Sequence, residues 1–419
     1  MPANPLKADW NRAARRPRRA LRALAIGLIA IVIGVGSLVA VPIVSPAAGA
    51  ALADWLRGVI GPQATAEIES LAFNLQDVFN RARYQASGGQ PQISWDNPAG
   101  AAAAPSAAAP GDVAKPVISR SGAPQPGVIH QPAVNAVTAP SAVTGWQAFD
   151  ATTANGDPIM ARAVVNPDPT RPYAQAALVR IDLSRVQLHL VAGTVEPVAV
   201  KSTPAVARPG DIPAGDQSSG RLLAAFNGGF KAIHGGYGMQ LENGVILRPP
   251  LDGMATLGLY QDGTVKIGAW GRDLQSGNGL IAFRQNCPLL VDAGQINPHV
   301  NDENRKEWGY TVKNLDTTWR SGVGLSADGR FLIYAAGNSL TVEALANALQ
   351  QAGAEYAMQL DINGYYTRFV TYAAAGGQPL AAHKLLKEMT GDPSQFLRPY
   401  DRDFFYVMAR PAIMAQAVR

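Results

Sequence analysis

The sequence predicts an α+β fold: a mixed, largely antiparallel sheet core with packed helices, preceded by an N-terminal transmembrane helix and a disordered spacer. Three observations lead to this class. Short β-rich runs alternate with Asn-Gly and Asp-Gly turns after residue 145, a capped helical stripe follows Thr341, and a long uncharged stretch lies near the N terminus. Repeated turns of this kind favour antiparallel hairpins over a Rossmann-type parallel sheet. With 419 residues and 47% apolar side chains, the chain can bury a sizeable core.

Positive charge is concentrated at the N terminus. Residues 1–22 carry seven Lys or Arg and one acid, so we predict a basic cytoplasmic tail there. The rest of the chain holds 29 bases and 30 acids and is nearly neutral. No nucleic-acid partner is expected, because a duplex binder gathers its basic residues on the domain that makes the contact.

Residues 23–45 form an almost wholly apolar run without charge, and about 20 such residues span a bilayer core. The arginines before it predict a single-pass cell-membrane protein with a cytoplasmic N terminus and an extracytoplasmic C-terminal domain. The membrane is therefore an expected partner of this helix. Ala48-Gly49-Ala50 and Ala51-Leu52-Ala53 resemble signal-peptidase sites, so a cleaved signal peptide is the alternative to an anchor.

Two further segments precede the predicted domain at 145–419. Apolar residues at helical spacing predict an amphipathic helix over residues 51–86. Residues 87–144 are rich in Ala, Pro and Gly and cannot bury enough apolar surface to offset their chain entropy. We therefore predict a flexible linker there.

Within the domain, turn signals and β-rich runs predict four hairpins and two late strands. A helix is predicted from Thr341 as N-cap to Gly353, and a second helix over 380–389. Cys287 is the only cysteine, so no intramolecular disulfide can form, and a buried position is expected for it. The predicted hairpins pair 176–181 with 186–191, 238–241 with 245–247, 256–260 with 265–269, and 322–326 with 331–335; the late strands are 356–360 and 404–409.

Two motifs place a polar side chain between a short apolar run and glycine. They are Asn227-Gly228-Gly229-Phe230 and Asp361-Ile362-Asn363-Gly364-Tyr365-Tyr366. Because glycine allows a close approach or a left-handed turn, each polar residue is expected at the rim of a sheet. Motifs about 130 residues apart by numbering can meet only through folding, as the two halves of one site would.

These motifs resemble those of the phosphodiester glycosidase family, some of whose bacterial members are labelled exopolysaccharide-related. In that family one strand ends in Asn-Gly-Gly-Phe, matched at 227–230, and a middle segment Arg-Thr/Ser-x-x-Gly precedes another strand, matched at 320–324. A later strand ends in Leu-Asp-Gly-Gly-Gly-Ser-Ser, matched at 360–366 by a segment that lacks two of the three glycines and both serines. The resemblance covers roughly residues 170–410.

The resemblance implies a hydrolase, a glycosidase acting on a glycosyl phosphodiester or a related cell-surface glycan linkage. Such a reaction needs a carboxylate for proton transfer or for stabilising an oxocarbenium ion, and we predict Asp361 in this role. Arg320 is the predicted phosphate clamp, because its planar fork matches two oxygens, and Asn227 completes the predicted catalytic set. The predicted substrate-binding residues are Gly228, Gly229, Lys231, His234, Asn363, Gly364, Tyr365 and Tyr366.

Structural interpretations stand beside these roles. Asp361 and Asn227 also suit turns, and Arg320 also suits a structural ion pair. No cofactor is expected, and no residues have metal-ligand spacing, although the sequence leaves a divalent cation open. The alternative to an enzyme that acts on cell-envelope carbohydrate is a non-catalytic protein on the same fold. Such a protein would bind glycans, or assemble the envelope or its exopolysaccharide. A structural partner presented on the spacer is a third interpretation.

Overall fold

The computed structural model describes residues 46–89, 93–96, 143–149, 158–303, 305–309, 313–373 and 380–411. These residues contain four α-helices: α1 (Pro46–Ile60), α2 (Pro62–Ala86), α3 (Ala214–Ser218) and α4 (Val342–Gln351). Short 3-10 helices lie at Ala232–His234 and Gln395–Leu397. The predicted tail at 1–22 and span at 23–45 lie outside the described residues, as does most of the predicted linker at 87–144.

The strands form three sheets. The first has eight strands in the order β1 (Gln147–Ala148), β2 (Met160–Val165), β3 (Ala176–Asp182), β14 (Phe331–Leu340), β13 (Thr318–Ser326), β15 (Ala354–Gln359), β11 (Leu289–Asp292) and β12 (Gln295–Ile296). The second has the order β7 (Ile246–Arg248), β6 (Met239–Gln240), β10 (Leu280–Gln285), β8 (Ala255–Tyr260) and β9 (Val265–Ala269). The third has the order β17 (Ala381–Lys384), β16 (Phe369–Ala373), β5 (Leu222–Asn227), β18 (Phe404–Ala409) and β4 (Val186–Val191).

This architecture corrects the predicted fold class. The pairings between these strands are all antiparallel, so the sheets are not mixed, and helices are few. Helix α4 packs against the sheets through a buried stripe that includes Val342, Leu345 and Leu349. Its N-cap is confirmed, because the Ala344 N–H donates to Thr341 Oγ1 at 3.1 Å.

The prediction of a single-pass membrane protein is also corrected. Among the described residues, no helix combines the length and the apolar character needed to cross a bilayer. The predicted amphipathic helix at 51–86 is divided into α1 and α2 at Gly61, which has φ 86° and is followed by Pro62. A left-handed residue followed by a proline cannot continue a helix, so the chain reverses into a helical hairpin.

Three of the four predicted hairpins are confirmed: β6–β7, β8–β9 and β13–β14. The fourth is wrong, because β3 pairs with β2 and β14 whereas β4 pairs with β18. The turn after Asp182 therefore carries the chain from one sheet to another. The predicted helix at 380–389 is wrong too, since Ala381–Lys384 is a strand paired with β16. Both late strands are present, as β15 and β18.

An aromatic core lies between the first and third sheets. The ring centroids of Phe226 and Phe405 are 5.3 Å apart, those of Phe226 and Phe369 are 6.0 Å apart, and Tyr334 packs at 5.1 Å from Phe369. Side chains of this size bury about 150–250 Å² each and dominate core energetics. Their packing fixes the end of β5, with Asn227, against the neighbouring sheet.

Candidate functional site

The site is built where the two polar motifs meet. The Asp361 N–H donates to the Gly228 carbonyl at 3.1 Å, which brings the turn after β15 against the turn after β5. The Asp361 side chain is 8% exposed. Its Oδ1 accepts the Asn363 N–H at 2.9 Å, and its backbone carbonyl accepts Ser321 Oγ at 2.8 Å. These contacts fix the carboxylate in one orientation at the rim of the sheets.

The guanidinium that faces this carboxylate belongs to Arg402, just before β18. Its Nη2 donates to Asp361 Oδ2 at 2.6 Å and to the Gly229 carbonyl at 3.0 Å. Burial lowers the pKa of Arg402, but the nearby carboxylates of Asp361 and Asp403 outweigh it, so this pKa lies above its ordinary value. The guanidinium therefore stays charged in its buried contact with Asp361.

Arg402 keeps unused hydrogen-bonding capacity. Its Nε and Nη1 are buried and have no hydrogen-bond partner in the described structure. Its Cζ lies 4.1 Å from the centroid of the Tyr366 ring, within cation–π range. Since an unsatisfied buried donor costs about 1–3 kcal/mol, two of them on one side chain point to a missing acceptor.

Arg320 lies elsewhere and is saturated. It is wholly buried, and each of its three nitrogens donates to a neutral oxygen: Nε to Leu340 O (2.9 Å), Nη1 to Gln359 Oε1 (2.9 Å) and Nη2 to Asp316 O (3.1 Å). Burial lowers the pKa of Arg320 to about 10. No nitrogen of this side chain is left for a phosphate, so it ties together strand ends.

Asn227 is likewise used inside the fold. Its Nδ2 donates to Ser321 Oγ at 3.0 Å, and its Oδ1 accepts Tyr334 OH and the Arg368 N–H, both at 3.0 Å. Because Ser321 also donates to the Asp361 carbonyl, Asn227 supports the catalytic candidate through one intermediate residue.

The Gly228-Gly229 turn is closed by Asp403. The Gly228 N–H donates to the Asp403 carbonyl at 2.9 Å, and the Gly229 N–H to Asp403 Oδ2 at 3.0 Å. A Cβ on Gly228 would lie 2.0 Å from that carboxylate, and one on Gly229 would lie 2.9 Å from Arg284 Cζ. The glycines are thus required by close approach, and their N–H groups are not free to bind an anion.

The Asp361–Tyr366 turn is shaped by its own side chains. Asn363 Oδ1 accepts the Tyr365 N–H at 2.9 Å, and a Cβ on Gly364 would lie 2.6 Å from the Trp319 ring. The rings of Tyr365 and Tyr366 meet edge to face with centroids 5.1 Å apart, and both are half-buried. In this turn, Tyr366 is the ring that approaches Arg402.

Lys231 and His234 lie beside the same turn. Lys231 Nζ is 5.2 Å from the Tyr366 centroid and 2.7 Å from Oδ2 of Asp54 in α1. Burial, with a smaller contribution from Arg57, lowers the pKa of His234 to about 4, against an opposing effect of Asp361. The imidazole is therefore neutral at pH 7. No group of three or more His, Cys, Asp or Glu in the described part of the chain is arranged to hold a metal ion.

Sequence reasoning missed Arg402, Asp54 and Arg57. The signal for Arg402 was a charged cluster, Asp401-Arg402-Asp403, directly before a strictly apolar strand, which is another strand end at a rim. For the two α1 residues the sequence offered no signal, because nothing in a helix tells which distant surface it covers. Cys287 is wholly buried, as expected, and burial raises the pKa of its thiol to about 12.

One comparison with known protein families finds a match. Residues 220–379 match the sequence model of the phosphodiester glycosidase family, which confirms the resemblance over that range and indicates a hydrolase of the glycosidase kind. No curated protein matches the sequence.

Solved structures give weaker likenesses. The zebrafish N-acetylglucosamine-1-phosphodiester alpha-N-acetylglucosaminidase catalytic domain, auto-inhibited by its pro-peptide, is 17% identical, with a TM-score of 0.40 over 64% of this chain and 88% of that one. A hypothetical protein from Synechocystis is 14% identical, with a TM-score of 0.32 over 60% of this chain and 62% of that one.

Proposed function

We propose that the protein is a glycosidase that cleaves a sugar-1-phosphodiester at a site formed by Asp361 and Arg402. The observation that carries the proposal is the half-used guanidinium of Arg402. One of its nitrogens holds the Asp361 carboxylate, while two others are buried without a partner. A planar fork beside a carboxylate suits a substrate that has a phosphate next to the bond being broken.

In this reaction the bond between the anomeric carbon and a phosphate oxygen breaks. Positive charge develops on the sugar ring and negative charge on the departing phosphate. Asp361, held by Arg402 and the Asn363 N–H, is positioned to stabilise the ring cation as a carboxylate. Nε and Nη1 of Arg402 donate to the phosphate oxygens. Water adds to the anomeric carbon as the new sugar hydroxyl, and its second proton passes to the departing phosphate monoester or to solvent.

The site's surroundings favour this division of roles. Because Asp361 and Arg402 are 8% and 4% exposed, water screens their fields little, and fixed charges act more strongly than in bulk solvent. Tyr366, whose ring lies under the guanidinium, adds an aromatic surface beside the site. Arg320 and the Gly228-Gly229 amides have no part in this scheme, since their donors are already engaged.

The test uses the full chain and a panel of glycosyl phosphodiesters, including nucleotide sugars and methyl esters of sugar-1-phosphates. Wild-type protein is expected to release free sugar, and Asp361→Asn to lower kcat/KM roughly a thousandfold. Asp401→Asn is the matched control, since it removes an exposed carboxylate one residue from Arg402 and should leave the rate unchanged.

Three outcomes would overturn the proposal: no turnover of any panel member by wild type, full activity of Asp361→Asn, or equal loss in Asp401→Asn. Unfolding midpoints for each variant separate lost chemistry from lost structure. Binding of sugar polymers without cleavage, unchanged in Asp361→Asn, would instead support a glycan-binding protein on this fold. The altered turn at 361–366 is the feature that favours that second function.

A further inference from the structure

The α1–α2 hairpin packs on the domain beside the candidate site. Three contacts fix α2: Ser70 Oγ donates to Asp316 Oδ2 at 2.5 Å, Asn80 Nδ2 to Ser339 Oγ at 2.6 Å, and Tyr173 OH to Asp77 Oδ1 at 2.8 Å. With α2 held at these points, α1 presents its charged residues to the turn after β5.

The contact between α1 and the site is an ion pair. Asp54 Oδ2 lies 2.7 Å from Lys231 Nζ, while Asp54 Oδ1 accepts Arg57 Nη1 at 2.7 Å. Burial raises the pKa of Asp54, but Lys231 and Arg57 together lower it by more than burial raises it. The net shift of the pKa is downward, and the carboxylate is ionised at neutral pH. A negative group supplied by another element thus occupies the lysine.

Lys231 and Arg402 share one aromatic ring. Lys231 Nζ is 5.2 Å and Arg402 Cζ is 4.1 Å from the centroid of Tyr366. Burial and, to a smaller extent, Arg402 lower the pKa of Lys231, but Asp54 outweighs both, so this pKa lies above its ordinary value. Two cations beside one half-buried ring, one of them with two unpartnered buried nitrogens, form a place where an anion would be favoured.

We propose that Lys231 and Arg402 together form the subsite for the anionic group of the ligand, and that Asp54 occupies Lys231 in place of that group. The ligand class is a phosphate ester, and in this respect the inference rests on the proposed function. A phosphate oxygen and the Asp54 carboxylate compete for the same ammonium group. Because Asp54 neutralises much of the lysine charge, Lys231 attracts a phosphate less strongly while the ion pair is formed.

The competition is weak enough to be reversible. The Asp54 side chain is 44% exposed, and pairs with such access to water contribute about 0.2–1 kcal/mol. Asp54 therefore sets how tightly phosphate binds without blocking the site permanently. Neutral ligands, which make no use of Lys231, are unaffected by this competition.

Calorimetric titration with inorganic phosphate and with methyl phosphate tests the subsite on the full chain. Asp54→Asn should tighten binding about fivefold, the factor that corresponds to about 1 kcal/mol, because it removes both the competitor and its repulsion of the anion. Lys231→Gln should weaken binding about tenfold, the loss expected for one charge-assisted hydrogen bond. In Asp54→Asn/Lys231→Gln the benefit of the first change should largely vanish, which a double-mutant cycle measures.

Glu67→Gln is the matched control, since it removes one exposed negative charge from the same hairpin, away from Lys231. It should leave phosphate affinity within a factor of about two. The proposal is overturned if neither wild type nor Asp54→Asn binds either phosphate, if Glu67→Gln tightens binding as much as Asp54→Asn, or if the two changes in the cycle are additive. Phosphate binding needs no turnover, so a wild-type protein without glycosidase activity would refute the proposed function and leave this result standing.

Discussion

Two buried arginine–carboxylate pairs lie side by side in this protein, and they differ in completeness. In the Arg284–Asp403 pair the side chains are 1% and 0% exposed, and Arg284 also donates to the carbonyls of Gln285 and Phe230. In the Arg402–Asp361 pair, two guanidinium nitrogens have no partner. A carboxylate binds each of the two arginines, but of these two only Arg402 has N–H donors without an acceptor.

The difference separates a structural pair from the pair to which we assign a function. Asp403 uses its backbone carbonyl and one carboxylate oxygen to hold the Gly228-Gly229 turn, and that turn in turn accepts the Asp361 N–H and an Arg402 donor. The Arg284–Asp403 pair, in which each guanidinium nitrogen has an acceptor (the saturated pair), thus positions the turn that holds the Arg402–Asp361 pair, which has unused donors (the unsaturated pair). A buried polar network is stable when every member is satisfied, and an unsatisfied member needs an explanation, which for Arg402 beside Asp361 we propose to be a ligand.

The largest expected effect is on the saturated pair. Asp403→Asn leaves Arg284 charged and buried without its counter-ion, which should lower the free energy of unfolding by about 3–5 kcal/mol. Denaturant titration measures this loss. Asp392→Asn is the control, because its pair with Arg398 is exposed and should contribute less than about 1 kcal/mol. Equal losses in the two variants would contradict the structural role assigned to Asp403.

Arg402→Lys tests the unsaturated pair. A lysine keeps the charge beside Asp361 but lacks the planar fork, so kcat/KM for a phosphodiester should fall roughly a hundredfold while stability changes by about 1 kcal/mol. Arg320→Lys should do the reverse, costing stability through lost bonds to neutral oxygens and leaving the rate of folded protein near wild type. Steady-state kinetics and unfolding curves on both variants decide. A larger loss of kcat/KM in Arg320→Lys than in Arg402→Lys would indicate that Arg320 binds the phosphate.

The contrast also shows how far the sequence could predict the fold. Turn chemistry is local, so the hairpins at Asn243-Gly244, Asp262-Gly263 and Asp328-Gly329 were predictable from a few residues. Sheet assignment is not local: Asp182–Arg185 has the composition of a hairpin turn, yet its flanking strands belong to different sheets. The short helix predicted at 380–389 failed because strand pairing with β16 outweighed weak helical spacing.

For the candidate site, the sequence predicts the carboxylate better than its partner. Asp361 follows from its strand-end position and from the family motif. Whether Arg320 or Arg402 contacts Asp361 depends on where the tertiary fold directs each guanidinium, which the sequence does not give. Arg320 sits inside a strand among carbonyl acceptors, whereas Arg402 precedes its strand and reaches the neighbouring turn. Asp54 was unpredictable for the same reason, since docking of α1 is a long-range contact.

The stability of the protein should depend on pH through His234, which lies beside the unsaturated pair. The charged groups near its ring are Arg57, Lys231, Asp54 and Asp361. Its pKa is about 4 in the folded protein, against about 6.5 for a histidine in the unfolded chain. As the pH falls, the unfolded chain protonates this histidine before the folded protein does, which favours unfolding. The contribution of neutral His234 to the free energy of unfolding is therefore complete above pH 6.5 and is lost as the pH drops toward 4. After allowance for solvent screening we expect about 1–2 kcal/mol.

His234→Asn should therefore flatten the pH dependence of unfolding between pH 6.5 and 4. His299→Asn is a fair comparison, because its ring is 45% exposed and pairs with Asp302 at the surface. Unfolding titrations at half-unit steps give the two slopes. An unchanged slope in His234→Asn would show that another group is responsible.

The smallest expected effect concerns the ring between the two cations. Tyr366→Leu keeps an apolar side chain but removes the cation–π contacts to Arg402 and Lys231, each worth roughly 0.5–1 kcal/mol. Affinity for methyl phosphate should fall about threefold, because neither cation is then held toward the subsite. Tyr365→Leu changes the neighbouring ring, which meets Tyr366 edge to face, and should have a smaller effect. A drop in Tyr365→Leu as large as that in Tyr366→Leu would mean that packing of the turn as a whole, and not the shared ring, orients the two cations.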